Sequence, residues 1–235
     1  EFTPGGWAGC RVGAVQWPNR PVTPDEMAAA IDAYARENGV AAVCLDGPQG
    51  WREPGVGPGD RPGVGRLAEY EVRAQGKVGE HGRTYPRNQA PWITFCIAVF
   101  DRLLARPGVV LANDPDAARV APPAGGYVLA EVFPTSIWRA SGLAPLPGKR
   151  RTTLGRMADA ETWLTARYGM PAGFVKCQGH HDNLQAVVAA LPGIGLLGGP
   201  AVPEPNGKPA FPVTASGVAP AHRAEGLIWD ARPAV

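Results

Sequence analysis

The residues best suited by type and spacing to do chemistry are acids that follow apolar segments. Val40 to Leu45 (VAAVCL) is a continuous apolar run that ends in Asp46-Gly47-Pro48. A short unbroken apolar run after a helix reads as a buried central strand. Asp46 then stands at its carboxyl end, where α/β sheets place their sites. The same residue before Gly-Pro also suits an ordinary turn. Glu131 sits near the end of a second strand-like stretch, Tyr127 to Phe133 (YVLAEVF). It suits either a site acid or a core-edge acid paired with an arginine.

Other polar groups cluster late in the chain. Cys177-Gln178-Gly179-His180-His181-Asp182 brings a thiol, two imidazoles and a carboxylate together. Zinc would need a fourth ligand and tetrahedral closure, and no second Cys or His pair has metal spacing. A histidine beside an acidic site could instead transfer a proton or contact phosphate, the plainer alternative being a solvated loop histidine. Asp182 also suits a helix N-cap, with Gln185 completing a capping box. Gly148-Lys149-Arg150-Arg151 is a basic run before a helix, fit for phosphate contact or for a solvated helix start. Its glycine spacing is not that of a P-loop. Arg66 and Arg73 could clamp phosphate bidentately or pair with Glu69. The 7 tryptophans could stack bases, but most lie in apolar patterns and read as core.

The elements that must position these groups alternate in type. Trp7 to Trp17 reads as a strand in a hairpin. Thr23-Pro24-Asp25-Glu26 opens a helix, with Thr23 as N-cap, Pro24 at N1 and Glu26 completing a capping box. Gly39 stops it. Residues 47–66 read as a Gly/Pro loop. Pro91 to Arg106 is an apolar helix with Trp92, Cys96, Val99 and Leu103 on one stripe. Arg151 to Tyr168 and Asp182 to Leu191 are further helices. Ala201 to Ala221 reads as Pro-rich loop, and Glu225 to Trp229 as a short final strand. The order is that of an α/β protein with a mixed sheet.

Composition sets the outer bounds. The chain has 235 residues, 45% hydrophobic and 19% charged, which suits one globular domain of 1–235 with an insertion at about 50–125. Its 31 glycines and 26 prolines cluster between periodic segments and read as long structured loops. A net charge of +2 neither supports nor excludes nucleic acid. The 4 widely spaced cysteines, without a leader before them, point to reduced thiols in a cytoplasmic protein. No apolar run reaches the ~20 residues needed to span a bilayer, so no membrane partner is expected.

Taken in order, these segments resemble the prokaryotic family described as predicted RNase H-like nucleases. The matching residues are Glu1 through Gly5-Gly6-Trp7; Asp46-Gly47-Pro48; Arg66, Glu69 and Arg73; Glu131-Val132-Phe133-Pro134 with Trp138; Lys149; Asp182-Asn183-Leu184-Gln185-Ala186; and Glu225-Gly226. The likeness covers nearly the whole chain, and order and spacing carry it rather than any one motif. It implies an RNase H-like fold whose first strand is all but missing from the sequence. It also implies a metal-dependent hydrolase of phosphodiester bonds using Mg²⁺ or Mn²⁺. Asp46, Asp182 and Glu1 would hold the metal, with Glu131 and His181 assisting. Lys149, Arg66 and Arg73 would contact a nucleic acid or a phosphorylated small molecule. Gln185 departs from the family, which carries a second aspartate there. That departure keeps open a catalytically degenerate nucleic-acid or nucleotide-binding protein, and the long Pro/Gly loops at 47–66 and 196–222, able to build a closed pocket, keep open an enzyme acting on a small metabolite.

Overall fold

The computed structural model describes residues 20–55, 64–117, 119–171, 181–213 and 222–234. The expected Trp7 to Trp17 strand, Glu1, Cys177 and His180 lie outside these residues. The helices are α1 (Pro24–Glu37), α2 (Leu67–Glu71), α3 (Ala90–Leu104), α4 (Pro134–Ala140), α5 (Leu154–Tyr168) and α6 (His181–Leu196). The strands are β1 (Ala42–Asp46), β2 (Lys77–Val78), β3 (Thr84–Tyr85), β4 (Val109–Leu111), β5 (Tyr127–Val132), β6 (Ala201–Asn206), β7 (Phe211–Val213), β8 (His222–Ala224) and β9 (Ile228–Pro233).

Local chemistry starts α1 as expected. The Thr23 side chain accepts from the Glu26 backbone, and the Glu26 carboxylate accepts from the Thr23 N–H at 2.9 Å. The main sheet is built around β5. Strand β1 runs parallel along one edge of β5, from Ala42 opposite Val128 to Asp46 opposite Val132. On the other edge, β4 pairs with Tyr127 to Leu129 and β9 with Glu131 and Val132, both parallel. Strands β4 and β9 therefore lie end to end along one side of β5. Strand β6 completes the sheet, antiparallel to β9. The result is an α/β protein with a mixed sheet flanked by helices.

Every residue of β5 is buried, as a parallel strand covered on both faces must be. Its side chains alternate between two cores. Tyr127 and Leu129 join Ala28 and Ala35 of α1 with Val99, Phe100 and Leu103 of α3. Val128, Ala130 and Val132 join Trp138 of α4, Leu164 of α5 and Leu184, Val188 and Leu191 of α6. The segment expected as an insertion at 50–125 thus supplies α3 and β4 to the main layers. Helix α6 lies so close to β1 that a Cβ at Gly193 would come within 2.8 Å of Cys44 Sγ.

Two expectations change. The Ala201 to Ala221 loop contains β6 and β7, separated by residues 207–210. Pro203 and Pro205 fall on alternate positions of an edge strand, where their missing N–H groups remove no ladder bond. The last strand begins at Ile228 rather than Glu225 and runs to Pro233. Glu225 and Gly226 instead carry positive φ, 58° and 127°, which ends β8 and turns the chain into β9.

The two cores set a stability ranking. Leu129→Ala, at the centre of β5, is expected to cost about 2–5 kcal/mol, and loss of the Thr23 cap in Thr23→Ala about 1 kcal/mol. Chemical denaturation of the two variants checks the order.

Candidate functional site

The carboxyl ends of β1 and β5 open onto a cavity of about 470 Å³. Asp46, Glu131, Arg66 and Arg73 all line it. The sheet explains the first two: Asp46 is the last residue of β1, and Glu131 pairs with its neighbour Leu45. Gly47 lets the chain leave β1 against α3, since a Cβ there would lie 2.7 Å from Cys96 Sγ.

Glu131 is the buried anchor of this end of the sheet. It is 3% exposed, and its two oxygens accept from Arg66 at 2.5 and 2.8 Å. The Gln49 backbone N–H donates to it at 2.9 Å. Arg66 is itself 1% exposed, and its Nε donates to Glu69 at 3.2 Å. Glu69 also accepts the Arg66 and Val78 backbone N–H groups at 3.1 and 2.9 Å. Burial opposes the Arg66 charge, but Glu131 and Glu69 outweigh it and hold the pKa above its ordinary value. Glu225 is also buried here, and its carboxylate accepts from the Glu53 and Leu67 backbones at 3.0 and 3.1 Å. Gln49 Nε2 donates to Leu227 O at 2.9 Å, and the absence of a Cβ at Gly226 makes room for its side chain.

Of the two readings of Glu131, the structure realises the arginine-paired one. Arg66 pairs with acids and is not a spare phosphate clamp. Asp46 differs. No hydrogen bond or ion pair among the described residues engages its carboxylate. Its side chain reaches water at the cavity, yet protein crowds around it. Burial first, and then the nearby Glu131 charge, push its pKa up to about 6. Cys96 is pushed up to about 12 by burial, Asp46 and Glu131, so its thiol stays protonated at neutral pH.

Cations face these acids. Arg73, Arg139 and Arg151 line the same cavity and are exposed. Arg73 holds φ at 54°, directly after the Val72 cap of α2. Glycine usually fills that left-handed position, and another residue costs roughly 1–2 kcal/mol. Arg139 donates to Val72 O at 3.0 Å and so ties α4 to the end of α2. Trp92, read from its stripe as core, is 51% exposed and also lines the cavity. It sits in the first turn of α3, where the helix runs past the end of the sheet.

Asp182, His181 and Lys149 form a separate cluster. Lys149 Nζ lies 2.5 Å from Asp182, and His181 Nδ1 lies 3.1 Å from it. Lys149 and His181 hold the Asp182 carboxyl below its ordinary value. Asp182 is in the first turn of α6 rather than at its N-cap, and none of the three lines the cavity. Of the three, His181 touches a residue that does line it, Pro147. His181 Nε2 meets Pro147 O at 3.0 Å, Thr152 Oγ1 donates to the same oxygen at 2.6 Å, and the Pro147–Arg151 segment carries Arg151 to the cavity. Gln185 accepts from the indole N–H of Trp138 at 2.9 Å. Its role here is to satisfy a buried tryptophan. Glu1 and His180 lie outside the described residues.

The expected Mg²⁺ or Mn²⁺ needs oxygen donors. Among the described residues, no three His, Cys, Asp or Glu side chains converge on one point. Asp46 brings one uncommitted carboxylate. It would hold a hard cation together with water and a substrate phosphate, while Asp182, paired with Lys149, is not among the residues that line the cavity.

The buried and the exposed ion pairs should differ in what they contribute. Arg66→Ala strands Glu131 and Glu69 without a counter-charge and is expected to cost about 3–5 kcal/mol. Lys149→Ala breaks an exposed pair and is expected to cost at most about 1 kcal/mol. Urea unfolding of both variants checks the difference.

Compared with protein-family models, curated proteins and solved structures, the chain matches none.

Proposed function

We propose that the cavity is the active site of a hydrolase of phosphodiester bonds, on an RNase H-like version of the α/β fold. One observation carries the reading. Asp46, a carboxylate that no described residue pairs, stands at the end of a parallel strand and shares its cavity with three exposed arginines. Cleavage of an anionic ester needs this combination: cations to hold the phosphate, and a carboxylate to act on water beside it.

In this mechanism Arg73, Arg139 and Arg151 receive the phosphate oxygens and offset their charge. Asp46 Oδ accepts a proton from the attacking water. Arg66 and Glu131 take no proton; they hold the end of β5 and the residue 49 backbone so that Asp46 keeps its place. Mg²⁺ or Mn²⁺, held by Asp46 and the substrate phosphate, would supply Lewis-acid stabilisation of the developing charge. The volume of about 470 Å³ matches a nucleotide-sized group. The family resemblance, the cytoplasmic setting read from the cysteines and the metal are parts of this proposal.

The single uncommitted carboxylate favours one other reading, a nucleotide-binding protein without turnover. Hydrolysis of bis(p-nitrophenyl) phosphate with and without Mg²⁺ or Mn²⁺ separates the two. Asp46→Asn is expected to lower turnover by about 10²–10⁴-fold. In the metal-free protein the Asp46 carboxylate forms as pH rises through about 6, so wild-type activity without added metal should decline as pH falls through that value. The stability sign is opposite. The folded chain binds the Asp46 proton more tightly than the unfolded chain, so this group costs stability as pH rises from about 4 to 6. Binding of a nucleoside monophosphate without turnover in any metal would support the second reading and contradict the first.

A further inference from the structure

A second cavity, of about 540 Å³, adjoins the first and is lined by Gly82, Arg83, Thr84, Tyr85, Arg87 and Ala90. Consecutive residues line the two, Gln89 the first and Ala90 the second. Both belong to the segment that leads from β3 into α3.

This segment exposes an unusual set of side chains. Among the described residues, the large apolar side chains left exposed are Tyr85 at 40%, Trp92 at 51% and Leu154 at 65%. Two of these are aromatic, and each lines one of the cavities: Tyr85 the second and Trp92 the first. The Tyr85 ring has one edge laid on Gly79, where a Cβ would meet its Cε2 at 3.1 Å. That contact fixes the ring while leaving much of it in water. Arg83 and Arg87 are exposed, and no hydrogen bond or ion pair among the described residues engages either guanidinium.

Free guanidinium groups lining a cavity with one exposed aromatic ring, and a second exposed ring in the next cavity, match one chemistry. Successive phosphates of a nucleic-acid backbone meet the cations, and unstacked bases lie on the rings. A duplex keeps its base faces inside the helix and cannot use the rings. A free mononucleotide would fill the first cavity and leave the second without an occupant.

We infer that the second cavity is a subsite for single-stranded nucleic acid, which holds the strand leading away from the phosphate bound in the first. This rests on the proposed hydrolase site, whose substrate it narrows to a single strand. Arg83 and Arg87 contact the backbone, Tyr85 stacks a base, and Trp92 stacks the base next to the reacting phosphate.

The test is fluorescence anisotropy of a labelled, mixed-sequence single-stranded DNA, set beside calorimetric binding of a nucleoside monophosphate. Wild type should bind the single strand more tightly than the monophosphate. The Arg83→Ala/Arg87→Ala pair should lower the slope of log affinity against log salt by about 1.4, because two phosphates are no longer neutralised. Tyr85→Ala should weaken the strand about tenfold and Tyr85→Phe should not. Each variant should keep wild-type monophosphate binding, which shows that it is folded. A single strand bound no better than the monophosphate, or unaffected by these substitutions, overturns the subsite and leaves the hydrolase site standing. Failure of the wild type to bind the monophosphate or the strand overturns both.

Discussion

The end of the sheet is organised by one buried charge. Arg66 lies almost wholly out of water, and such a burial is tolerable only when every donor is met by an acceptor. Glu131 and Glu69 meet it, and the Glu225 carbonyl lies 3.5 Å away. These partners come from β5, from α2 and from the turn before β9. Segments far apart in sequence are thus brought to one point. Replacing the set by apolar residues of similar shape need not destabilise the fold, but it would remove the link that sets where these segments sit.

That constraint also defines what chemistry is left over. Glu131 has both oxygens on Arg66, so it cannot serve as a second free acid beside Asp46. Its charge still reaches Asp46 and helps keep the carboxyl near the pH where it can exchange protons. The arginines around the cavity are held indirectly. Arg139 is tied to the α2 end, and Arg151 rides on a segment pinned by His181 and Thr152. The site is therefore one free acid, a ring of cations, and a buried network that fixes their places.

Much of the fold was legible because strong local signals agreed with the tertiary outcome. The Thr23 capping box and the apolar stretch before Phe133 each became the expected element, and the apolar run before Asp46 became a strand, though among the described residues a half-buried one at the edge of the sheet rather than a buried central one. Strand β6 was not legible, because prolines signal loop unless the strand is known to be an edge. The short helix α4 was hidden for a related reason: Pro134 reads as the end of a strand, although it also suits the first turn of a helix. In the site, Asp46 could be read from its place at the end of an apolar strand. Trp92 could not, since periodicity places a residue on a helix face but not beyond the end of the sheet. Nor could the arginine that pairs with Glu131, since choosing between phosphate and an acid as the partner of Arg66 needs distances. Arg139 and Arg151 gave no signal separate from ordinary surface arginines.

Everything proposed for the cavity at the ends of β1 and β5 depends on its holding a phosphate between Asp46 and the arginines. A crystal structure with a nucleoside monophosphate and Mn²⁺ tests this most directly. The phosphate is expected within hydrogen-bond reach of Arg73, Arg139 and Arg151, with any anomalous Mn²⁺ signal at Asp46. A phosphate bound elsewhere, or Mn²⁺ at Asp182 with Lys149 displaced, would contradict it.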